Sequence, residues 1–460
     1  MYTPATNAVK RTCQINCTLR MSLGYLRYKM KKKKMPPSQR GATLKAMNST
    51  FPGRATIGEA ARALAKLALL FAAPSLLFAQ AQPPANRSRG FGPDACGPAD
   101  PAYIHSANET GGIPLFLQRS EATKAFHLVR ESTRNNVATV FWATAALDGK
   151  PQTIKIPVDS VTKRVTFTFS VDTKGSALRL TQPSGGAITE SSAATEVTEL
   201  NCGRILTVAS PEAGEWLAEI TGTGKFWLQA EAQSDIFFVA VEFVKQGGRP
   251  GHEGLFRIQG QPLAGTPATL QASLSAAATR TTEFYLVTER GEAIQKLPMR
   301  AVNSDREFLE FVGSVDLPAV PFRVAVMGRD SSGQQFQRFY SSLFHAESVE
   351  LSPKLDFDEL PPGSTRQLAF TLRNIGSPRT FKMTVTDAHK FVSNVEPKEL
   401  ALGPGESGIV RVDLTVPTAT APGAGDDLVI VAASTVGPPT SNSSVVHLSV
   451  SSPNSTQNPH

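Results

Sequence analysis

From Lys150 onward, apolar side chains recur at every second position, and this spacing restricts most of the chain to β-strands. Val165, Phe167, Phe169 and Val171 alternate with Thr166, Thr168 and Ser170, the pattern of a half-buried strand whose hydroxyl side faces water. Ile154, Ile156 and Val158 repeat it. Asp235 to Val244 is nearly continuously apolar, as expected of a central strand covered on both faces. Phe284 with Leu286, and Val324 with Val326, mark further strands, and Arg329-Asp330-Ser331-Ser332-Gly333 reads as a hairpin turn. Beyond Ser348 the alternating sets are Leu368, Phe370, Leu372; Phe381, Met383, Val385; Val410, Val412, Leu414, Val416; and Val446, Leu448, Val450. Pro361-Pro362-Gly363, Asn374-Ile375-Gly376 and Gly403-Pro404-Gly405 separate them. The expected fold is mainly β: tandem antiparallel sandwiches of immunoglobulin type with a short N-terminal α/β segment.

Helical spacing is confined to residues 99–149. Ser120 is a candidate N-cap, and Ala122, Ala125, Phe126 and Val129 follow at helical intervals up to Glu131. Ile113 to Leu117 reads as a short strand, and Pro101 to Asn108 as another helix. The division expected is a helix-strand-helix segment over 99–149, sandwiches over 150–246 and 252–346, and an immunoglobulin-like sandwich over 348–452. Lys245 to Gly254, rich in Gly and Pro, is the first boundary, and 453–460 is a disordered tail.

Residues 64–81 carry an apolar run ending in Ala79-Gln80-Ala81, with Arg54, Arg62 and Lys66 supplying positive charge. This is the pattern of a secretory signal peptide, and the run is short for a membrane span. The expected signal is 47–81, with residues 1–46 a leader or a misassigned start before Met47, and 82–98 a flexible linker. Removing residues 1–81 leaves 33 Lys and Arg against 38 Asp and Glu. The basic balance of the whole chain therefore resides in the leader, including Lys31 to Lys34, and a nucleic-acid partner is not expected. An exported form keeps two of the four cysteines, Cys96 and Cys202. They are the candidate disulfide, with two reduced thiols as the open alternative.

No catalytic constellation stands out. The histidines are dispersed, and His252-Glu253 lacks the second histidine of a helical zinc site. Gly405-Glu406-Ser407-Gly408 is one residue short of a nucleophile elbow and reads as a turn. Asp426-Asp427 offers calcium-type oxygen donors but no further acidic spacing. No metal or cofactor is expected. Trp142 and Trp227 are the candidates for stacking on a sugar ring, against the alternative of core packing; Trp216 is expected to cover an edge between sheets. Asn108 and Asn442 lie in Asn-x-Ser/Thr sequences.

Residues 107–129, with Thr110-Gly111-Gly112 before a short strand and a closing helix, resemble the end of a von Willebrand factor A domain. Residues 150–345 resemble the β-region that follows that domain in hemicentins and their bacterial relatives. Ile156-Pro157-Val158-Asp159, the Pro211-x-x-Gly214-x-Trp216 turn, and the Phe322 to Ser342 hairpin with Gln337-Arg338 carry that likeness. Residues 348–450 resemble immunoglobulin-like domains of bacterial surface proteins through PPGST, TLRNIG and LGPGES. The chain departs from the A-domain pattern in lacking its Asp-x-Ser-x-Ser metal loop; Asp330-Ser331-Ser332 has the wrong spacing. Residues 99–149 are too few for a doubly wound core. They should pack against the first sandwich or join an A domain from another chain. These features imply an exported, non-enzymatic protein, secreted, periplasmic or cell-surface, that holds a protein partner or surface component. A carbohydrate-binding module is the alternative.

Overall fold

In the computed structural model, residues 96–97 and 100–451 are described, apart from 249, 276–278, 304–307, 355–359 and 438. The signal segment, the leader, most of the linker and the tail over 453–460 lie outside the described residues.

Three antiparallel sandwiches follow one another. The first pairs a five-stranded sheet, β1-β8-β3-β6-β5, with a three-stranded one, β2-β7-β4. Its strands are β1 (Val137–Asp148), β2 (Gln152–Val158), β3 (Arg164–Val171), β4 (Ala177–Thr181), β5 (Thr195–Leu200), β6 (Gly203–Ala209), β7 (Gly214–Thr221) and β8 (Thr223–Gln233). The second is built from β9 (Phe238–Gly247), β10 (Gly254–Arg257), β11 (Ala268–Ser275), β12 (Thr279–Val287), β13 (Ala293–Leu297), β14 (Arg300–Asn303), β15 (Phe308–Val315), β16 (Arg323–Asp330) and β17 (Gln335–Phe339). Its sheets run β10-β9-β11-β15-β14 and β13-β12-β16-β17. The third has β18 (Val349–Lys354), β19 (Thr365–Asn374), β20 (Arg379–Thr386), β21 (Val392–Glu396), β22 (Glu399–Leu402), β23 (Ser407–Thr415), β24 (Gly425–Ser434) and β25 (Ser441–Ser449), ordered β18-β19-β23-β21 and β22-β20-β24-β25.

The alternating apolar residues face inward in each sandwich, because a sheet with one apolar face is stable only when that face is covered. Phe167 and Trp216 meet at 5.5 Å between ring centroids in the first core, and Trp216 is fully buried there. Phe284 and Phe311 meet at 4.8 Å in the second. Leu368, Phe370, Leu372, Val410, Val412 and Leu414 fill the third. The first core continues into the second sandwich through Val287, Ala325 and Phe339.

Two boundaries differ from the expected division. β9 pairs with β11, so the apolar run after Asp235 belongs to the second sandwich, and Lys245 to Gly254 contains the hairpin from β9 to β10 rather than a linker. A Gly-rich stretch satisfies either role. The handover lies instead at Ser234 to Phe237. At the other end, Val137–Asp148 is not part of a separate 99–149 segment but the edge strand of the first sandwich. Its run of buried residues lacks alternation because the outer face is covered too, by the N-terminal segment and by β17.

That segment begins with α1 (Pro101–Thr110), opened by Asp100, whose carboxylate accepts the Ala102 N–H, and closed by Gly111 in the left-handed region. Residues 113–117, expected as a short strand, form no strand. A 3-10 helix (Arg119–Ala125) and α2 (Phe126–Ser132) follow, capped at Gln118 through a reciprocal box with Glu121, not at Ser120. The segment packs on the first sandwich with the opposite side to the one expected. Phe126 and Val129 face solvent, while Glu121, His127 and Glu131 are buried. The hydroxyl side of β3 explains this: Thr166, Thr168 and Ser170 are buried rather than wet. A helix laid on hydroxyls buries its hydrogen-bonding side. Cys96 and Cys202 are joined as a disulfide with their Cα atoms 5.8 Å apart, tying the start of this segment to the β5–β6 turn.

Candidate functional site

The polar side chains singled out by burial gather where the helical segment meets the first sandwich and where sandwiches meet one another. On the hydroxyl face of β3 and β6, both ring nitrogens of His127 are engaged, Nδ1 with Thr198 Oγ1 at 2.8 Å and Nε2 with Thr207 Oγ1 at 2.9 Å. Thr207 in turn bonds Thr166. Burial pushes the His127 pKa below 6.5; the field of Arg130 and Arg164 adds to this, against Glu196 and Glu131. Glu131 accepts from Arg134 Nε at 2.6 Å and Arg130 Nε at 2.9 Å. Burial opposes its charge, but these guanidinium bonds outweigh it and hold the carboxyl below its usual range.

His127, Glu131 and Glu196 bring three metal-type donors together. The donors are already committed: Glu131 to two arginines, Glu196 to Arg130 at 2.5 Å, and His127 to two threonines. A cation there would face Arg130, Arg134 and Arg164, so the cluster reads as an ion-pair network.

The Thr110-Gly111-Gly112 turn is the second gathering point. Trp142 Nε1 donates to the Gly112 carbonyl at 3.1 Å, Trp227 Nε1 to Asn108 Oδ1 at 3.0 Å, and Gln229 Nε2 to the Gly111 carbonyl at 2.9 Å. Trp142 and Trp227 are each 1 % exposed. This corrects the sugar-stacking expectation: an indole sealed between a sheet and a helix end presents no face to a ligand. From the second sandwich, Arg323 reaches the same turn, donating to Asn108 O and Ser341 O with its guanidinium 4.2 Å from the Trp142 ring centroid. Burial lowers its pKa to about 10 against the pull of Glu109 and Glu289. His345 bonds Glu109 at 3.0 Å. Burial alone would lower its pKa, but the bond to Glu109 and the field of Glu109, Glu347 and Glu289 raise it above 6.5.

The first two sandwiches are also joined directly. Arg338 is fully buried and donates to Asp159 Oδ2 at 2.6 Å, Ser234 Oγ at 2.7 Å, and the Ile236 and Gln337 carbonyls at 2.7 Å each. Asp330, inside the hairpin that carries Ser331 and Ser332, accepts from Ser160 N and Oγ and from the N–H groups of Ser332 and Gln334. Its carboxylate is consumed by the junction and offers nothing to a metal. Between the second and third sandwiches, buried Asn442 exchanges bonds with the Gln261 backbone at 2.9 and 3.1 Å, and Glu347 accepts from Thr440 at 2.6 Å. The two Asn-x-Ser/Thr asparagines among the described residues are therefore not free: Asn108 serves Trp227 and Asn442 the interdomain joint. Asp427 pairs with His447 at 2.6 Å on the surface, and Asp426 accepts the Ala388 N–H at 2.9 Å. Sequence reasoning missed Arg323 and His127, and it met Asp159 and Arg338 only as part of the hemicentin likeness, not as a buried pair. A charged residue inside a strand-like apolar run is the signal that could have found the two arginines.

These joints give the two histidines opposite roles in stability. A folded His127 pKa below 6.5 means that stability falls as pH drops below the unfolded value. A folded His345 pKa above 6.5 means that stability falls as pH rises through the window above it. The joint should be firmest near pH 6.5. In urea titrations followed by tryptophan emission across pH, His127→Gln should flatten the acid side and His345→Gln the alkaline side.

The fold and its joints define a tandem immunoglobulin-like β-sandwich chain. Residues 351–452, the third sandwich, match the family model described as the VWA7 Ig-like domain. The chain is similar to hemicentin-1 of Mus musculus, 23% identical over 346 residues that make up 72% of this chain and 6% of that protein. It is 23% identical over 270 residues to hemicentin-1 of Homo sapiens, covering 57% of this chain and 4% of that protein. The chain thus spans a small part of the length of these relatives. Among solved structures, the full ectodomain of mouse nectin-like molecule 4 aligns at 11% identity and a TM-score of 0.18, over 68% of this chain and 98% of that one.

Proposed function

We propose that this chain is an exported, non-enzymatic adhesive or scaffolding protein that holds a protein partner at a cell surface or in the periplasm. One observation carries the reading: the buried charged side chains described above are spent on holding parts of the chain together, Arg338 and Asp330 between the first two sandwiches, Arg323 and the His127–Glu131 network at the helical segment. A catalyst presents such groups to a substrate in a cleft; a spacer uses them to fix the angle between modules. The likeness to hemicentin-1 supports the same reading, and no helix among the described residues is long and apolar enough to cross a membrane.

The test has two parts. Mass spectrometry of the exported protein should find an N-terminus at Gln82, and peptides from residues 1–46 in that form would contradict the export signal. Beads coated with the exported chain should then capture a surface component that trypsin destroys and periodate spares. Capture abolished by periodate would replace the protein-partner reading with a glycan one.

A further inference from the structure

We propose that β10 is a self-recognition edge, through which two copies of this chain pair antiparallel about Leu255 and join their second sandwiches into one continuous sheet. The observations behind this are independent of the adhesive reading and of any ligand. β10 is the outermost strand of its sheet, paired with β9 on one side and with no described strand on the other. The Ile258 N–H donates to the Phe243 carbonyl, so the alternation of an antiparallel ladder assigns Gly254, Phe256 and Ile258 to β9. The backbone groups of Leu255 and Arg257 therefore point outward, as do those of Glu253 if the strand is continued.

The side chains on this edge are those that natural sheets usually avoid there. Leu255 is 41% and Phe256 47% exposed, on opposite faces of a four-residue strand. Several other edges are blunted. β5 carries exposed Glu196 and Glu199, β2 contains Pro157, β21 is offset by an irregularity after Val392, and β17 is covered by β1 through the bond from Gln337 to Val140. β14 exposes one large apolar residue, Val302.

The register follows from charge. With Leu255 opposite Leu255 of the second copy, the outward residues Glu253 and Arg257 face Arg257 and Glu253 of that copy. Two cross-strand ion pairs thus form by symmetry. Phe256, whose ring lies beside Gly247 and Gly254 of its own chain, then falls opposite Gly254 of the second copy, where no side chain obstructs it. Arg257 can reach across: its side chain is 75% exposed, and its ion pair with Glu242 is long, at 3.8 Å. Glu253 uses one oxygen on the Gly251 N–H and keeps the other. Moving the axis by one residue, to Phe256, would set Arg257 against Leu255 and Glu253 against Gln259, with both charge pairs lost.

Sedimentation velocity on the exported chain, from micromolar to near-millimolar concentration, tests the proposal. A concentration-dependent dimer is expected. Arg257→Glu sets like charges opposite each other and should weaken the dimer about tenfold or more. Adding Glu253→Arg to that variant should restore it. Leu255→Pro should abolish the dimer with an unchanged circular-dichroism spectrum, because the N–H it removes does not serve β9. A chain that stays monomeric throughout, or a dimer indifferent to both Arg257→Glu and Leu255→Pro, would overturn the proposal.

Discussion

Arg338→Ala should destabilise the first two sandwiches together, by about 3–5 kcal/mol, the usual cost of removing one partner of a buried ion pair. The loss comes mainly from what stays behind. Asp159 is 1% exposed, and without the guanidinium its Oδ2 would keep a buried charge with no partner. The Ile236 carbonyl would lose its Arg338 donor and Ser234 Oγ the shorter of its two, and both lie on the peptide that crosses from the first sandwich to the second. Lysine cannot replace arginine here. One ammonium has three donors and no fixed fork, whereas Arg338 serves four acceptors from three nitrogens. The readout separates coupled from independent modules. All three tryptophans, Trp142, Trp216 and Trp227, belong to the first sandwich, whereas Arg338 lies on β17 of the second. If the sandwiches unfold independently, the tryptophan transition in urea will not move when Arg338 is replaced. We expect it to shift to markedly lower urea, while a second transition, seen by far-ultraviolet circular dichroism and arising from the third sandwich, which has no tryptophan, stays in place.

The parts of the fold that were legible in the sequence are those where one face of a strand is buried and the other wet. The third sandwich is such a case: Leu368, Phe370 and Leu372 alternate inward along β19 with Ala369, Thr371 and Arg373 between them. The Pro211 to Trp216 turn was equally readable. Gly214 adopts φ 141° and the Trp216 indole closes back on the Glu212 carbonyl at 2.9 Å. Legibility failed wherever a polar surface is covered. Thr166 and Ser170 look like a solvent face in one dimension, yet Ser170 Oγ bonds the Pro114 carbonyl and Thr166 lies beneath His127. The same covering inverted the helix: apolar spacing at Ala122, Phe126 and Val129 marks the outer side because the inner contact is made of hydroxyls. β1 failed for the opposite reason, since burial on both faces erases the period that identifies a strand. The candidate site was the least legible part. Its charges act in pairs drawn from distant stretches, Asp159 with Arg338 and Glu109 with His345, and no local spacing encodes such a pair.

Gly111 and Gly112 are adjacent and equally small, yet they should respond to alanine in opposite ways. Gly111 ends α1 at φ 73°, a conformation that costs an L-residue about 1–2 kcal/mol. A Cβ built there would lie 2.3 Å from the Ser341 carbonyl oxygen and 2.8 Å from its Cα. Those atoms are main chain, in the loop after β17, and no rotamer change can move them. Gly112 keeps a negative or extended φ, and the nearest atom to its Cβ would be at 3.7 Å, an ordinary contact. Gly111→Ala should therefore lift the end of α1 away from Ser341, loosening the bonds from Trp142 to the Gly112 carbonyl and from Trp227 to Asn108. We expect a loss of about 3 kcal/mol, strain and broken contacts together, and tryptophan emission shifted to the red as water reaches the indoles. Gly112→Ala should change stability by less than about 1 kcal/mol and leave the emission where it is. Equal effects from the two variants would mean that the turn does not key the helix end to the second sandwich. The split outcome would place the joint at one carbonyl contact, where the chain passes from its helical segment to the edge it shares with both sandwiches.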